Sequence, residues 1–420
     1  MMDVSDQRKV FWLGVANGAL FALGAAFLEP STVLSLFVLK LTGSTICVGV
    51  ISAISIGGWL WPQIFMSEIL QDKPYKKPFY KIAIAIRLIP WAIVIALMLA
   101  GLRGLGLFFS FAILYAIYVL GSGIAMIPFM DIVSKAIPPW RRGSFFGARG
   151  LLGGALSFGA GLYVRNVLRS QEVLFPDTFM RFFAIGVTFI GIALLLFSLA
   201  PEAPGKTRRR IGLRYHFFRG PRIFRRDRNY RNLFFFRVLA SFGGMAGPFY
   251  VPNAIKVMGI REEMVGIFMS LMTAGGILSN PIWSRMSDRI GNKIVLEISS
   301  ILSTIPPVIA LLAHLLGGDP RISTILYSLA FALMGISASG RSIGDMNYLL
   351  EIAPERERPS YIGFMNTYMI PFSFLPLIGG VIVETVSFNA ILLISMISNL
   401  FSAFLCSKGL REVREVEEDG

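Results

Sequence analysis

The sequence has little charge and almost no cysteine or histidine. Only 15% of its 420 residues are charged, against roughly 25% in soluble domains. The two cysteines, Cys47 and Cys406, both lie inside apolar runs, so we expect neither to form a disulfide. Two histidines are too few for a histidine metal cage. The composition therefore excludes a cytosolic enzyme, a disordered chain and a disulfide-stapled secreted domain, and we expect neither a metal nor a cofactor.

Long apolar runs dominate what is present. Hydrophobic residues make up 55% of the chain, in runs of about 20 residues that recur from Val10 to Cys406 and are long enough to cross a bilayer. Continuous runs of this length favour helices over the short alternating strands of a barrel. We predict twelve spans, at about 10–38, 44–66, 79–101, 105–128, 145–165, 178–200, 233–255, 263–284, 294–316, 322–350, 360–383 and 386–407.

The distribution of basic residues between the loops predicts the orientation. Loops on one side carry most of them: Lys73, Lys76, Lys77, Lys135, Arg141, Arg142, Arg285, Arg289 and Lys293. Loops on the other side carry fewer, such as Lys40, Arg103 and Lys256, although Arg165, Arg169 and Arg181 are exceptions. Because basic loops stay inside, we expect a multi-pass protein of the cell membrane with both termini in the cytoplasm.

Residues 201–232 form the one long connection that is not apolar. They hold eleven basic residues against Glu202 and Asp227, so 11 − 2 leaves a net charge of +9. Between two spans, this composition favours a cytoplasmic linker on anionic lipid headgroups over a nucleic-acid site, with Phe217, Phe218 and Phe224 dipping into the interface. Pro204-Gly205-Lys206-Thr207 only mimics a phosphate-binding loop, because Ala200 replaces its first glycine and a span precedes it.

The chain repeats itself at an offset of 216 residues. This offset aligns the segment 137–147 with 353–363, where Pro, Arg, Ser, an aromatic ring and Gly coincide, and it places Asp72 opposite Asp288. Such a repeat indicates two parallel halves of six spans. We therefore predict an N-terminal half at 1–200, the linker at 201–232, a C-terminal half at 233–407 and a cytoplasmic tail at 408–420.

Over nearly its whole length the sequence resembles the major facilitator superfamily. The best local motif is Ser284-Arg285-Met286-Ser287-Asp288-Arg289-Ile290-Gly291-Asn292-Lys293, similar to the family's loop signature between spans two and three and between eight and nine. Ser284 replaces the glycine that usually begins it. The resemblance implies an all-α fold of twelve transmembrane helices in two pseudo-symmetric halves, which moves a small organic solute by alternating access. We expect a monomer.

The loop motif predicts a conformational gate. Gly291 permits a tight turn between two helices, and Asp288 is placed to face the positive end of a neighbouring helix. In the family this carboxylate braces the inner gate, which by pseudo-symmetry puts its target near Gly143–Gly147. The predicted gate residues are Asp288, Arg289, Gly291 and Lys293.

Polar residues inside the predicted spans are candidates for a cavity or for ion coupling, since an ionisable group in hydrocarbon is costly. Glu29 lies deep in span one, and Asn17, about 3.3 turns away, is expected on the same face. Glu29 is either a proton-coupling carboxylate or a group that caps the kink at Pro30 or reaches the outer interface. Gln63, next to Pro62, either lines the cavity or marks a simple kink.

Four further charges lie in the spans. Arg341 and Asp345, four residues apart on span ten, are expected to neutralise one another, either as a gate-side ion pair or as substrate contacts. Arg87 and Arg237 lie near the cytoplasmic side, which favours anchoring to lipid. The aromatic residues Trp59, Trp61 and Tyr115 are interpreted as packing.

Two alternatives to the solute transporter remain. One is a transporter of lipid or lysolipid, favoured by apolar cavity walls and the basic linker. The other is a polytopic membrane enzyme acting on lipid, which requires a convergent nucleophile, base or metal set near an interface. No such set is visible in the sequence, so an enzyme is not expected.

Overall fold

A computed structural model of the chain describes residues 3–170, 174–205, 213–316, 319–354 and 357–412, and the regular structure in these ranges is helical. The helices are α1 Val4–Ala26, α2 Val33–Thr42, α3 Thr45–Ile69, α4 Lys77–Leu99, α5 Gly104–Ala136, α6 Pro139–Ser170, α7 Asp177–Ser198, α8 Leu213–Arg226, α9 Arg228–Gly244, α10 Tyr250–Lys256, α11 Met264–Arg289, α12 Asn292–Leu302, α13 Ile305–Leu315, α14 Pro320–Ile352, α15 Arg358–Met369, α16 Leu375–Thr385 and α17 Phe388–Gly409, with 3₁₀ turns at Gly247–Phe249 and Ile370–Phe374.

Twelve of the helical segments in the described ranges are long and apolar enough to cross a membrane. In chain order these spans are formed by α1, α3, α4, α5, α6, α7, α9 with α10, α11, α12 with α13, α14, α15 with α16, and α17, and we count the short apolar helix α2 as the continuation of span one. The predicted all-α polytopic fold with twelve spans is therefore confirmed. We number the spans one to twelve below.

The chain divides into two compact units, 1–212 and 213–420, each with six spans. Spans four and ten, Gly104–Ala136 and Pro320–Ile352, are both 33 residues long and begin 216 positions apart. The spacing equals the offset of the sequence repeat. The two units are called the N-half and the C-half.

Span one is not the continuous helix that the apolar run predicts. Helix α1 ends at Ala26, and the chain turns before α2 begins at Val33. Pro30 lies in this break, where it lacks an N–H donor and disfavours helical backbone in the residue before it. A run of apolar residues predicts that a segment is removed from water, but it does not predict whether its helix is continuous.

Helix α2 is held inside the N-half by aromatic packing. Phe37 is fully buried, and its ring centroid lies 4.9 Å from that of Phe183 in span six and 5.4 Å from that of Phe111 in span four. Trp91 of span three lies 5.0 Å from Phe183. Edge-to-face rings at such distances stabilise a core beyond the area they bury. The short helix after the break is thus a fixed part of the bundle.

In the C-half, spans eight and ten are in backbone contact. A Cβ atom at Gly335 of span ten would collide with the carbonyl of Met272 in span eight. Small residues at a helix interface permit this approach, which is how helices associate in a membrane. The contact fixes span ten, whose charged residues are described below.

The linker contributes helix α8, which packs on the C-half. Ile223 is buried in a cluster with Tyr230 and Phe364, and the ring of Phe224 lies 5.5 Å from that of Phe234. Phe224 is half-buried and contacts protein through this ring, and its insertion into the lipid interface stays a prediction. The side chains of Phe217 and Phe218 lie outside those the structure describes, as do residues 206–212 with Lys206 and Thr207.

Candidate functional site

The first span of each half is broken at a corresponding depth. Span one is interrupted between Ala26 and Val33, and span seven between Gly244 and Tyr250, where the 3₁₀ turn Gly247–Phe249 intervenes. Adding 216 to the first break gives 242–249, which overlaps the second. Paired breaks in corresponding spans point to a binding site, because they free backbone groups inside the membrane.

The break in span one opens on a pocket of about 240 Å³ in the N-half. Its polar and aromatic lining consists of Glu29, Ser55, Trp59, Tyr115, Tyr118 and Ser122. The Glu29 carboxylate accepts a hydrogen bond from Ser31 Oγ at 3.0 Å, and the Tyr115 hydroxyl is hydrogen-bonded to Ser55. Both interpretations of Glu29 thus have a structural counterpart, since it interacts with its own turn and also lines a pocket.

Aromatic residues that the sequence assigned to packing contribute to this pocket. Trp59 is 41% exposed and lines it, whereas Tyr115 is 3% exposed and stacks on Tyr118 with ring centroids 5.9 Å apart. Tyr115 therefore does both, packing on one face and bounding the pocket. The spacing of apolar residues along the helices did not distinguish these pocket-lining aromatic residues from the aromatic residues that only pack in the spans.

Asn17 and Gln63 lie outside the lining of this pocket. Asn17 is 4% exposed, donates from Nδ2 to the carbonyl of Ala193 at 2.7 Å and accepts from Arg149 Nη1 at 3.1 Å. It therefore joins span one to spans five and six. Gln63 donates to the carbonyl of Trp59 in its own helix at 2.8 Å. Neither residue shares a cluster with Glu29.

Arg87 is a buried charge that the sequence placed in lipid. It is 4% exposed, with its guanidinium carbon 4.9 Å from the ring centroid of Phe21 and 5.3 Å from that of Tyr118. Its Nη2 lies 3.5 Å from the Tyr118 hydroxyl. Lipid anchoring is thus wrong for Arg87, which is instead held by cation–π contacts inside the N-half.

The C-half contains a larger pocket, of about 410 Å³, at the break in span seven and at the break between α12 and α13 in span nine. Its polar lining includes Tyr250, Ser303, Arg341, Asp345, Ser395 and Asn399. Apolar groups such as Pro306, Pro307 and Met334 complete the wall. A mostly apolar wall with a few placed polar groups is typical of small-molecule sites.

The charges in this pocket do not pair as the sequence predicts. Asp345 forms its ion pair with Arg237 of span seven, with Nε to Oδ1 2.7 Å, and the Arg237 side chain is only 12% exposed. Arg341 donates instead to Ser303 Oγ at 2.8 Å and to Asn399 Oδ1 at 3.4 Å. The spacing of four residues places Arg341 and Asp345 in one pocket. Each of them nevertheless interacts with residues of other helices and not with the other. Arg237 is consequently not a lipid anchor.

The gate motif has the predicted turn. Span eight continues through Asp288 to Arg289, and Gly291 has φ +127°, a conformation that residues with a side chain rarely adopt. A Cβ at Gly291 would lie 2.7 Å from the Glu412 carboxylate, and Lys293 lies in the first turn of span nine. Asp288 and Arg289 are exposed.

The corresponding loop of the N-half is organised by a carboxylate. Glu202, which follows span six, accepts the backbone N–H of Lys76 at 2.7 Å and of Lys77 at 2.9 Å. Lys76 and Lys135 both pair with Asp131, and Lys135 Nζ also lies 3.4 Å from Glu202 Oε1. An acid after the last span of this half thus caps the start of span three, where the helix dipole favours negative charge. The sequence did not indicate this contact, which joins residues about 125 positions apart.

Known proteins share the fold and part of the sequence. Residues 233–419 match the family model of the Major Facilitator Superfamily. The nucleoside transporter NupG is 15% identical, with a TM-score of 0.69 over 96% of this chain and 97% of that chain. The xylose transporter XylE from E. coli is 14% identical, with a TM-score of 0.71 over 98% of this chain and 99% of that chain. A bacterial homologue of the iron transporter ferroportin is 16% identical, with a TM-score of 0.64 over 96% of this chain and 98% of that chain.

Curated relatives match a part of the chain. Uncharacterized proteins of Mycobacterium tuberculosis and Mycobacterium bovis are 23% identical over 245 residues, which cover 57% of this chain and 46% of each relative. The chain thus matches about half the length of these relatives. The second half of the chain thus matches the Major Facilitator Superfamily model, and the whole chain shares the twelve-span fold of solved transporters.

Proposed function

We propose that this chain is a secondary transporter that moves a small organic solute across the membrane by alternating access. The observation that carries the proposal is the pocket that each half holds at the break in its first span, with Glu29 in one and Arg341 in the other. Ionisable groups in membrane-spanning regions are costly and mark substrate or ion pathways.

The loop after span eight supports the conformational part of the proposal. The left-handed Gly291 turns the chain within a few residues, which leaves Asp288 exposed at the end of its helix. In our proposal Asp288, Arg289, Gly291 and Lys293 form a gate element that biases the balance of conformations and makes no substrate contact. Asp288→Asn should then slow uptake and leave solute affinity within a few fold.

The transport proposal is tested in two stages. The detergent-purified full chain is first screened by thermal unfolding against a chemically diverse library, since a ligand of the native state raises the unfolding temperature. Solutes that stabilise it are then tested for uptake into proteoliposomes. We expect Ser55→Leu or Ser342→Leu, which narrow the two pockets, to reduce uptake. Leu278→Ala, which changes a side chain that is 76% exposed, should not. Uptake no faster than in protein-free vesicles for every stabilising solute would overturn the proposal.

We also infer that the linker lies on anionic lipid headgroups. Arg222, Arg225 and Arg226 are exposed on α8, whereas Ile223 is buried. Near a negatively charged leaflet each basic residue contributes about 1 kcal/mol. Replacing the three arginines with Gln should lower the amount of phosphatidylglycerol that co-purifies with the chain, whereas Arg321→Gln at the start of span ten should not. Unchanged retention in the triple variant would contradict this assignment.

A further inference from the structure

The pocket of the C-half, taken together with the Arg237 that pairs with its Asp345, holds two positive charges and one negative charge. Arg341 and Asp345 line it, and Arg237 lies against Asp345 with Nε to Oδ1 2.7 Å. The single carboxylate of this group pairs with Arg237, and Arg341 is a second guanidinium with no carboxylate of its own in the described part of the chain. In a part of the molecule that crosses the membrane, an excess charge of this kind is retained only where something compensates it.

The excess charge belongs to Arg341. Its hydrogen-bond acceptors are neutral: the carbonyl of Ala240 at 3.3 Å from Nη1, and Ser303 Oγ and Asn399 Oδ1 at 2.8 Å and 3.4 Å from Nη2. Its Nε is buried and has no hydrogen-bond partner. Among the described residues no carboxylate lies within ion-pair distance of Arg341. A guanidinium has five N–H donors and is matched by a carboxylate in a bidentate geometry.

Two hydroxyl groups of the same pocket are also unused. Tyr250 is 3% exposed, and within the described ranges neither its hydroxyl nor that of Ser342 makes a hydrogen bond. The remaining wall, with Pro306, Pro307 and Met334, is apolar. A volume of about 410 Å³ is in the range of small-molecule sites. The pocket therefore offers one cation, two hydroxyl groups and an apolar wall.

We propose that this pocket binds the carboxylate of a small monoanionic organic solute, with Arg341 as its counter-charge and Tyr250 as a further hydrogen-bond donor. The inference rests on the proposed transport function, whose substrate class it names. A monocarboxylate brings the charge of the pocket to zero. A phosphate monoester, at about −1.5 to −2, would leave uncompensated negative charge, and an ammonium ion would add to the excess positive charge.

The test uses four probes that share one benzene ring: benzoate, benzamide, benzylamine and phenyl phosphate. Thermal unfolding of the detergent-purified full chain is measured with each probe at equal concentration and ionic strength. We expect benzoate to raise the unfolding temperature at least twice as much as any of the other three. Equal shifts for benzoate and benzamide, or a larger shift with benzylamine or phenyl phosphate, would overturn the proposal.

Substitutions assign the effect to Arg341. Asn399→Asp is nearly isosteric and puts a carboxylate where an oxygen already lies 3.4 Å from Arg341 Nη2, so the site acquires its own counter-ion and loses the hydrogen bond from Asn399 Nδ2 to the Ser303 carbonyl. We expect it to fold and to weaken benzoate binding at least tenfold, as should Arg341→Gln. Arg321→Gln removes the same charge from the exposed start of the same helix and should leave binding within twofold. Undiminished benzoate binding in Asn399→Asp would refute the assignment.

This outcome is separable from that of the transport proposal. If proteoliposomes take up a neutral or cationic solute and benzoate does not stabilise the chain, the carboxylate inference fails and the transport proposal stands. If benzoate binds through Arg341 and no solute is taken up, the transport proposal fails and the assignment of a carboxylate site stands.

Discussion

The Arg237 guanidinium and the Asp345 carboxylate form an ion pair between spans seven and ten, with Nε 2.7 Å from Oδ1. The pair joins span seven, the broken first span of the C-half, to span ten, which carries Arg341. Because Asp345 is engaged by Arg237, the charge of Arg341 is left for another group. One contact thus stabilises the fold and also sets the charge of the pocket.

Removing one partner of this pair should destabilise the chain more than removing both. Asp345→Asn leaves Arg237 unpaired at 12% exposure, and we expect a loss of about 1 to 3 kcal/mol, below the value for fully buried pairs because the carboxylate is 29% exposed. The double variant Asp345→Asn with Arg237→Gln should recover part of the stability that Asp345→Asn loses, as measured by thermal unfolding in a double-mutant cycle. In the exposed pair Arg103 with Asp177, at 3.4 Å, Asp177→Asn should cost less than about 0.5 kcal/mol. Equal losses at both sites would contradict the assigned role.

Glu202 should be needed as a charged cap. Its side chain is 3% exposed, it accepts two backbone N–H groups at the start of span three, and it faces Lys135. Glu202→Gln retains one acceptor but loses the charge, so we expect a lower unfolding temperature, equivalent to about 1 to 2 kcal/mol. Asp319→Asn, at the exposed cap of span ten, should change stability by only a few tenths of a kcal/mol, since Asn caps about as well as Asp. A Glu202→Gln variant as stable as the wild type would show that the contact is incidental.

Gly291 should tolerate no side chain. Its φ of +127° strains any other residue, and a Cβ would approach the Glu412 carboxylate to 2.7 Å. Gly291→Ala should therefore destabilise the chain by about 1 to 3 kcal/mol. Gly150→Ala is the matched control, because it lies in helical span five with nothing within 4 Å of the added Cβ, and it should be neutral or stabilising. Similar unfolding temperatures for the two variants would be evidence against a strained turn.

The sequence predicted the number of spans, their helical nature and the two halves, because each depends on the length and spacing of apolar runs. It also predicted the turn at Gly291, because only glycine suits that backbone. The interruption after Ala26 was missed, although Pro30 marked its position. An apolar stretch keeps the same composition whether its helix continues or breaks.

Partners of the buried charges were not predictable, because they depend on which helices are neighbours. The spacing of Arg341 and Asp345 identified one face of one helix, whereas Arg237 approaches that face from a helix more than 100 positions earlier. Arg87 lies 10 residues into its helix, and this position near the helix end suggested that its side chain anchors in lipid. In the structure its guanidinium contacts the rings of Phe21 and Tyr118 instead. Periodicity places a residue on a helix but leaves open what that side of the helix contacts.

Topology should follow the basic loops. With Cys47 and Cys406 replaced by Ala, a cysteine introduced at Tyr75, which is 49% exposed, should react with a membrane-impermeant maleimide only in inverted vesicles. A cysteine at Val257, which is 46% exposed, should react in intact cells. The reverse pattern would place the termini outside.

Glu29 provides the last prediction, which concerns proton coupling. Its carboxylate lines the N-half pocket, and Ser31 is hydrogen-bonded to Oε1 only, at 3.0 Å. A carboxylate in a cavity gains or loses a proton as its hydration changes, which is what coupling to a pH gradient requires. For a solute taken up by the wild type, an imposed pH gradient should change the rate of uptake into proteoliposomes, and Glu29→Gln should abolish that response. Ser31→Ala keeps the carboxylate but removes the hydroxyl that donates to it in the turn, so the response should persist. If Glu29→Gln responds to the gradient as the wild type does, Glu29 only stabilises the turn at Pro30.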